Sequence, residues 1–165
     1  MMNPTPMRRA AHGLFTRVLA CLLAGVIYSV SGLAASPAAT IPAASLVQPA
    51  QLASMLKDVS LPRPLILQVG FRTLYEQAHV PGAEYAGPAN TAAGLQALRG
   101  RVNQLPRNAA IIIYCGCCPW SRCPNIAAAY NALHELGFGN LKVMYVAENF
   151  GADWVEKGYP TETGP

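Results

Sequence analysis

Residues 109–125 read AAIIIYCGCCPWSRCPN, and this stretch decides the fold class. Its first six residues are an uninterrupted apolar run centred on three isoleucines, which predicts a strand buried on both faces. Pro124 suits the first turn of a helix, and Gly137 suits the position just after its end. A buried strand that leads through a loop into a helix is the repeating unit of a parallel α/β sheet.

The flanking sequence continues this alternation of strands and helices. Apolar spacing predicts further strands at 65–69 and 141–146, and further helices at 50–58, 73–78, 95–105 and 152–157. Proline and glycine residues separate these segments. We therefore expect one α/β domain with a central, mostly parallel sheet.

A basic and apolar segment precedes this domain. Arg8, Arg9 and Arg17 lead into the apolar run 18–35, and small residues follow it. This order is typical of a secretory signal peptide, which we place at 1–35. The alternative is a retained membrane anchor, because an apolar run of this length can just span a bilayer.

The rest of the chain divides into a linker and the domain. Residues 36–44 are Ala, Pro, Ser and Thr with one Ile and no periodicity, which is typical of a flexible linker. The α/β domain is expected over 45–162. The predicted signal peptide places it in the periplasm or outside the cell, where disulfides persist.

The charge balance excludes a basic nucleic-acid-binding surface. The chain has 12 basic and 8 acidic residues, a net charge of +4, and three of the basic residues lie in the N-terminal segment. The remainder carries nine basic against eight acidic residues. With 52% hydrophobic and 12% charged residues, the composition is also unlike that of a disordered protein.

Candidate chemistry is concentrated in the loop after the central strand. Four of the five cysteines fall within nine residues: Cys115, Cys117, Cys118 and Cys123. In an open α/β sheet, ligands bind where strands end and helices begin. Backbone N–H groups there stabilise anions, so a thiol in this loop is expected to act as a thiolate nucleophile. Arg122 adds a positive charge to the same loop.

Four segments, in order along the chain, resemble the rhodanese-like domain family. They are HVPGA at 79–83, IIIYC at 111–115, LHELGF at 133–138, and the closing segment 146–160 with Trp154, Gly158 and Pro160. The resemblance covers most of the chain after the linker. It implies a rhodanese-like fold, with helices on both faces of the sheet, and sulfurtransferase activity at a cysteine.

The chain departs from the family pattern in two places. Gln68 stands where the family usually has aspartate after the first core strand. Family loops usually place four residues between the cysteine and an arginine, and here Cys117 has that spacing to Arg122 whereas Cys115 has six residues between. We expect Cys115 to be the nucleophile because it ends the strand, with Cys117 as the alternative.

Other residues of the loop have expected roles around this nucleophile. Cys118 and Cys123 are candidate resolving thiols, and Cys123 is expected to form a reversible disulfide with Cys117 or Cys118 that switches the reactivity of Cys115. Trp120 is a candidate for the mouth of the substrate pocket. Outside the loop, His79 is expected to be structural.

Three functions of different classes fit these residues. The first, implied by the family resemblance, is a sulfurtransferase that carries sulfane sulfur as a cysteine persulfide. The second is a thiol–disulfide redox protein that uses the extra cysteines. The third is a copper- or zinc-binding module, although the spacing Cys-x-Cys-Cys-x4-Cys lacks the paired Cys-x2-Cys of many structural zinc sites.

The first function sets the expected partners. We expect a small sulfur donor such as thiosulfate or a persulfide, a thiol acceptor and no cofactor. Nucleic acid is not expected, and contact with a membrane is expected only through an uncleaved signal segment.

Overall fold

The computed structural model describes residues 40–165. The predicted signal segment 1–35 and the first linker residues, 36–39, lie outside the described residues. The elements in chain order are β1 (Leu46–Val47), α1 (Pro49–Lys57), β2 (Leu65–Gln68), α2 (Arg72–Gln77), β3 (Glu84–Tyr85), α3 (Ala92–Val102), β4 (Ile111–Tyr114), α4 (Pro124–Glu135), β5 (Leu141–Met144) and a closing π-helical turn (Gly151–Val155). From residue 40 onward, no helix combines the length and the apolar character needed to cross a membrane.

The five strands form one sheet in the order β1-β5-β4-β2-β3, and every neighbouring pair is parallel. The strand predicted with three isoleucines is the central one. Its two edges pair with β5 and β2, and its four residues are all buried because both faces of the sheet are covered. The predicted α/β class with a parallel sheet is confirmed.

Successive residues of the strands point to opposite faces of the sheet, and each face packs on helices. Leu67, Ile111 and Ile113 belong to a core with side chains of α3 and α4. Ile66, Ile112 and Tyr114 belong to a second core with side chains of α1, α2 and the closing turn. The predicted covering of both faces by helices is confirmed.

The edge strands were not predicted from the sequence. β1 and β3 contain two residues each, too few for an alternating or continuous apolar pattern to be visible. The other predicted strands and helices are present, with ends that differ by at most three residues. The last predicted helix is a π-helical turn that begins one residue earlier than expected.

The last residue of β4 anchors the sequence that resembles the family turn. The Tyr114 hydroxyl accepts a hydrogen bond from the Val80 N–H at 3.1 Å. His79 is buried and stacks on Tyr75, with ring centroids 3.9 Å apart. One His79 ring nitrogen also lies 2.7 Å from the Tyr75 carbonyl oxygen. These contacts place His79 in the packing of the domain, and its structural role stays a prediction.

Candidate functional site: a cysteine cluster at the carboxyl end of β4

The cysteine loop is held at both ends by regular structure. Cys115 directly follows β4, and Cys123 is the N-cap residue of α4, which begins at Pro124. The loop is also tied to the segment after β5. The Trp120 N–H donates to the Val146 carbonyl at 2.9 Å, and the Gly116 carbonyl accepts from the Phe150 N–H at 3.1 Å. These contacts fix the course of the loop over the end of the sheet.

The loop gathers all four cysteines into one cluster with Cys117 at its centre. The Cys117 sulfur lies 3.3 Å from the sulfur of Cys115, 3.1 Å from that of Cys118 and 4.0 Å from that of Cys123. All four are free thiols. The structure therefore brings together the four cysteines that the sequence singled out.

The cysteines differ in exposure. Cys115 is 1% exposed and Cys123 is 2% exposed, whereas Cys117 and Cys118 are half-buried. The strand-end position that favoured Cys115 as nucleophile also places its sulfur beneath the rest of the loop. A reagent from solvent meets Cys117 and Cys118 first.

Two polar side chains and one glycine shape the surroundings of Cys115. The Asn125 amide group points its nitrogen at the Cys115 sulfur, 3.9 Å away, while its oxygen accepts from the Asn90 N–H at 3.0 Å. Gln68 is buried, and its side-chain oxygen accepts from the Gly70 N–H at 3.1 Å. A Cβ on Gly70 would lie 2.6 Å from the Cys115 sulfur, so a side chain at position 70 is incompatible with the sulfur where it stands.

Neighbouring groups divide the thiols by acidity. The adjacent Cys115 thiol, followed by the backbone N–H of Ile126, lowers the pKa of Cys123 to about 5, although burial opposes this shift. The interaction with Cys123, together with burial, raises the pKa of Cys115. Burial raises the pKa of Cys118 to about 12, with the Cys117 thiol adding to the shift. The lowered pKa favours the thiolate form of Cys123, which lies at the start of α4.

A cavity of about 510 Å³ opens next to the cluster. Cys117 and Gly116 line it, together with residues of α2, the end of β4 and the closing turn. Its wall is largely apolar, with Leu74, Phe150 and Val155 among the lining residues. Its charged lining residue is Glu156, and no arginine or lysine contributes to the wall.

Of the predicted site residues, Cys117 lines this cavity and the other cysteines, Arg122 and Trp120 do not. Arg122 is exposed on the short turn before α4 and is not among the residues that line the cavity. Trp120 is half-buried against the core formed with α3 and α4, with its ring 6.1 Å from that of Tyr145. The structure therefore brings neither Arg122 nor Trp120 to the cavity beside Cys117.

Sequence reasoning missed three residues of the site: Gln68, Gly70 and Asn125. Gln68 was noted only as a departure from the family aspartate, yet its side chain makes a short-range hydrogen bond to the Gly70 N–H. Asn125 follows Pro124 in the first turn of a helix that begins beside cysteines, a position where a polar side chain can meet a thiol. That placement was the available signal for Asn125.

No family model and no curated protein sequence matches the chain. Solved structures do match it. The rhodanese-like domain of an Anabaena protein is 24% identical with a TM-score of 0.53, and the match covers 72% of this chain and 79% of that one. A crystal structure of the same Anabaena protein is 22% identical with a TM-score of 0.54, covering 72% and 92%.

This chain has the rhodanese-like fold. A single-domain sulfurtransferase from Saccharomyces cerevisiae is also similar, at 14% identity and a TM-score of 0.53, with 76% of this chain and 99% of that one covered. At these identities the similarity concerns the fold. Chains with the rhodanese-like fold thus include a sulfurtransferase, and this one carries a cysteine cluster where its central strand ends.

Proposed function

We propose that this rhodanese-like protein is a sulfurtransferase that carries sulfane sulfur as a persulfide on Cys117. The observation that carries the proposal is the position of this thiol. Cys117 lines the cavity and lies at the centre of the cluster, within 3.3 Å of two other thiols. A donor that enters the cavity meets the Cys117 sulfur, whereas Cys115, the nucleophile expected from the sequence, lies beneath it.

The transfer proceeds in two displacements. The Cys117 thiolate attacks the outer sulfur of the donor, forming a new S–S bond as the donor's own bond to that sulfur breaks. The donor leaves with the electron pair of that bond, as sulfite from thiosulfate or as a thiolate from an organic persulfide. A thiolate acceptor then attacks the outer sulfur on Cys117, takes it away as a persulfide and restores the Cys117 thiolate.

Two neighbouring thiols contact the Cys117 sulfur. Cys115 and Cys118 place S–H groups 3.3 Å and 3.1 Å from the Cys117 sulfur, close enough to donate hydrogen bonds to it. These contacts are to the inner sulfur of a Cys117 persulfide, so they hold that sulfur in place while its outer sulfur is exchanged. No cofactor enters either displacement.

The lining of the cavity favours a donor of low charge. The wall is mostly apolar and carries Glu156 without a compensating arginine or lysine. A carboxylate repels a dianion such as thiosulfate and tolerates an organic persulfide. We therefore propose an organic persulfide as the preferred donor and a small thiol as the acceptor, both exchanged outside the cytoplasm after export.

Mass spectrometry of the metal-free, reduced protein tests the proposal. After incubation with cysteine persulfide or with thiosulfate, the intact protein is expected to gain the mass of one sulfur, on the peptide that contains Cys117. Cys117→Ser should abolish this gain, and Cys118→Ser, the matched control on the adjacent half-buried thiol, should keep it. Equal loading of the wild-type and Cys117→Ser proteins would overturn the assignment, and loading lost only in Cys115→Ser would return it to the strand-end cysteine.

A further inference from the structure

Three sulfur atoms of the cluster are arranged like the donors of a metal site. The sulfurs of Cys115, Cys117 and Cys123 all lie within 4.8 Å of one another. They come from three different parts of the chain: the end of the central strand, the loop and the N-cap of α4. Two of the three are buried, so the ligands are largely fixed before any ion arrives.

The spacing of these sulfurs matches a three-coordinate ion. Metal–thiolate bonds of about 2.3 Å, directed to the corners of a triangle around the ion, hold the sulfurs roughly 4.0 Å apart. The measured separations are 3.3 Å between Cys115 and Cys117 and 4.0 Å between Cys117 and Cys123. A regular triangle requires the sulfurs of Cys115 and Cys117 to move about 0.7 Å further apart, and the sulfurs of Cys115 and Cys123 already lie within 4.8 Å of each other.

The donor set selects the kind of ion. It consists of sulfur alone, and soft thiolate ligands favour copper(I), zinc and iron–sulfur clusters. Structural zinc sites are closed by four ligands, whereas this group has three members and does not include Cys118. We propose that Cys115, Cys117 and Cys123 form a three-thiolate binding site for copper(I).

Groups around the sulfurs are suited to a site that carries excess negative charge. Three thiolates and one copper(I) ion leave a net charge of −2, which buried surroundings must stabilise. The Asn125 amide nitrogen lies 3.9 Å from the Cys115 sulfur, and Cys123 is the N-cap residue of α4, next to the N–H groups of the first helical turn. Donors of this kind orient metal ligands and hold them in place.

The copper site does not depend on the proposed sulfur transfer, but the two share Cys117. A copper(I) ion bound to the Cys117 sulfur occupies the electron pair with which that sulfur would attack a donor. Copper is therefore expected to inhibit persulfide loading when present at one equivalent, and a copper chelator is expected to restore it.

Anaerobic titration with copper(I) against a coloured copper(I) chelator tests the site. The reduced wild-type protein is expected to withdraw one equivalent from the chelator, and X-ray absorption should show a shell of three sulfurs. Cys115→Ser, Cys117→Ser and Cys123→Ser should each lose more than the roughly 10- to 100-fold in affinity that outer-shell changes cause. Cys118→Ser is the matched control and should bind as the wild type does.

A second measurement avoids dependence on the folding of the serine variants. In the wild-type protein, one equivalent of copper(I) should protect the half-buried Cys117 from alkylation while the half-buried Cys118 still reacts, and it should slow the labelling of the buried Cys115 and Cys123 further. A four-sulfur shell, protection of Cys118, or zinc retained in preference to copper would overturn the proposal. Cys123→Ser separates the two functions, because it should lose copper binding and keep persulfide loading. A wild-type protein that binds copper(I) but, when freed of copper, takes up no sulfur from either donor would overturn the sulfur transfer alone.

Discussion

Gly70 shows how a single residue accommodates the buried thiol. A Cβ at this position would meet the Cys115 sulfur at 2.6 Å and the Gln68 amide nitrogen at 3.2 Å. Gly70→Ala is therefore expected to lower the free energy of unfolding by about 1–3 kcal/mol, as overpacked cores do. Urea denaturation measures this loss.

Two further proteins test the cause of that loss. Adding Cys115→Ala to Gly70→Ala removes the sulfur and should recover most of the stability. Gly100→Ala, in α3 where the added methyl group meets open space, should instead raise stability by up to about 1 kcal/mol. If Gly70→Ala lowered the free energy of unfolding equally with Cys115 and with Cys115→Ala, the loss would come from the backbone at position 70 and not from the sulfur.

Cys117 and Cys123 are the pair for which we predict a reversible disulfide. Their sulfurs are 4.0 Å apart, and the neighbouring Cys115 thiol lowers the pKa of Cys123 to about 5. Trypsin cleaves after Arg122, so a disulfide from Cys123 to the rest of the loop links two tryptic peptides and a disulfide within the loop does not. Mild oxidation should produce the linked pair in the wild-type and Cys118→Ser proteins.

The Cys117→Ser protein provides the contrast. It should give no linked peptides under the oxidation that links them in the wild type, and its Cys123 should remain open to alkylation. Linked peptides in Cys117→Ser would assign the disulfide to Cys118 or Cys115. Thiol titration across a redox buffer series gives the potential at which the link forms. The reactivity of Cys115 across the same series would show whether it changes at that potential.

At the residue scale, the sequence predicted the cysteines and not their surroundings. Four cysteines in nine residues after a buried strand were enough to locate the site. The order of exposure was not visible, because it depends on how the loop folds back over Cys115. The positions of Arg122 and Trp120 depend on the same fold of the loop, and spacing along the chain does not encode it.

Among the elements, the closing turn contributes the charge at the cavity. Glu156 follows Gly151–Val155 and is exposed where it lines the wall. Glu156→Lys should raise the rate of persulfide loading from thiosulfate severalfold relative to loading from cysteine persulfide, because it replaces repulsion of the dianion with attraction.

Salt and a second variant check that this effect is electrostatic and local. The gain in Glu156→Lys should shrink as ionic strength rises, since exposed charges are screened. Glu148→Lys makes the same change of charge on an exposed residue outside the lining and should leave the ratio of the two donors near that of the wild type. A similar gain from both substitutions would indicate general steering by net charge.

Long apolar elements were predicted well and short edge elements were not. β4 and β2 are buried on both faces, so their sequences are nearly continuous apolar runs. β1 and β3 contribute two residues each, and they are strands because β5 and β2 lie beside them and pair with them. Tertiary context supplies such strands, and a local pattern cannot.

For the whole molecule, we predict export and removal of the N-terminal segment. The native protein should be recovered outside the cytoplasm with its N-terminus near Ser36, because basic residues followed by an apolar run direct secretion. N-terminal sequencing of the protein from fractionated cells measures this. An intact Met1 in the cytoplasmic fraction would contradict the prediction, and an intact N-terminus in the membrane fraction would support the retained anchor.

The thiols are expected to be alkylated at different rates, because they lie differently with respect to the two cores. Cys115 and Cys123 belong to the core that α3 and α4 share, whereas the cavity lies on the side of α2 and the closing turn. Cys117 packs against the first and lines the second. A small alkylating agent should therefore modify Cys117 at a rate set by its concentration. Its reaction with Cys115 and Cys123 should instead be limited by how often the loop opens, so their labelling times report the local stability of that loop.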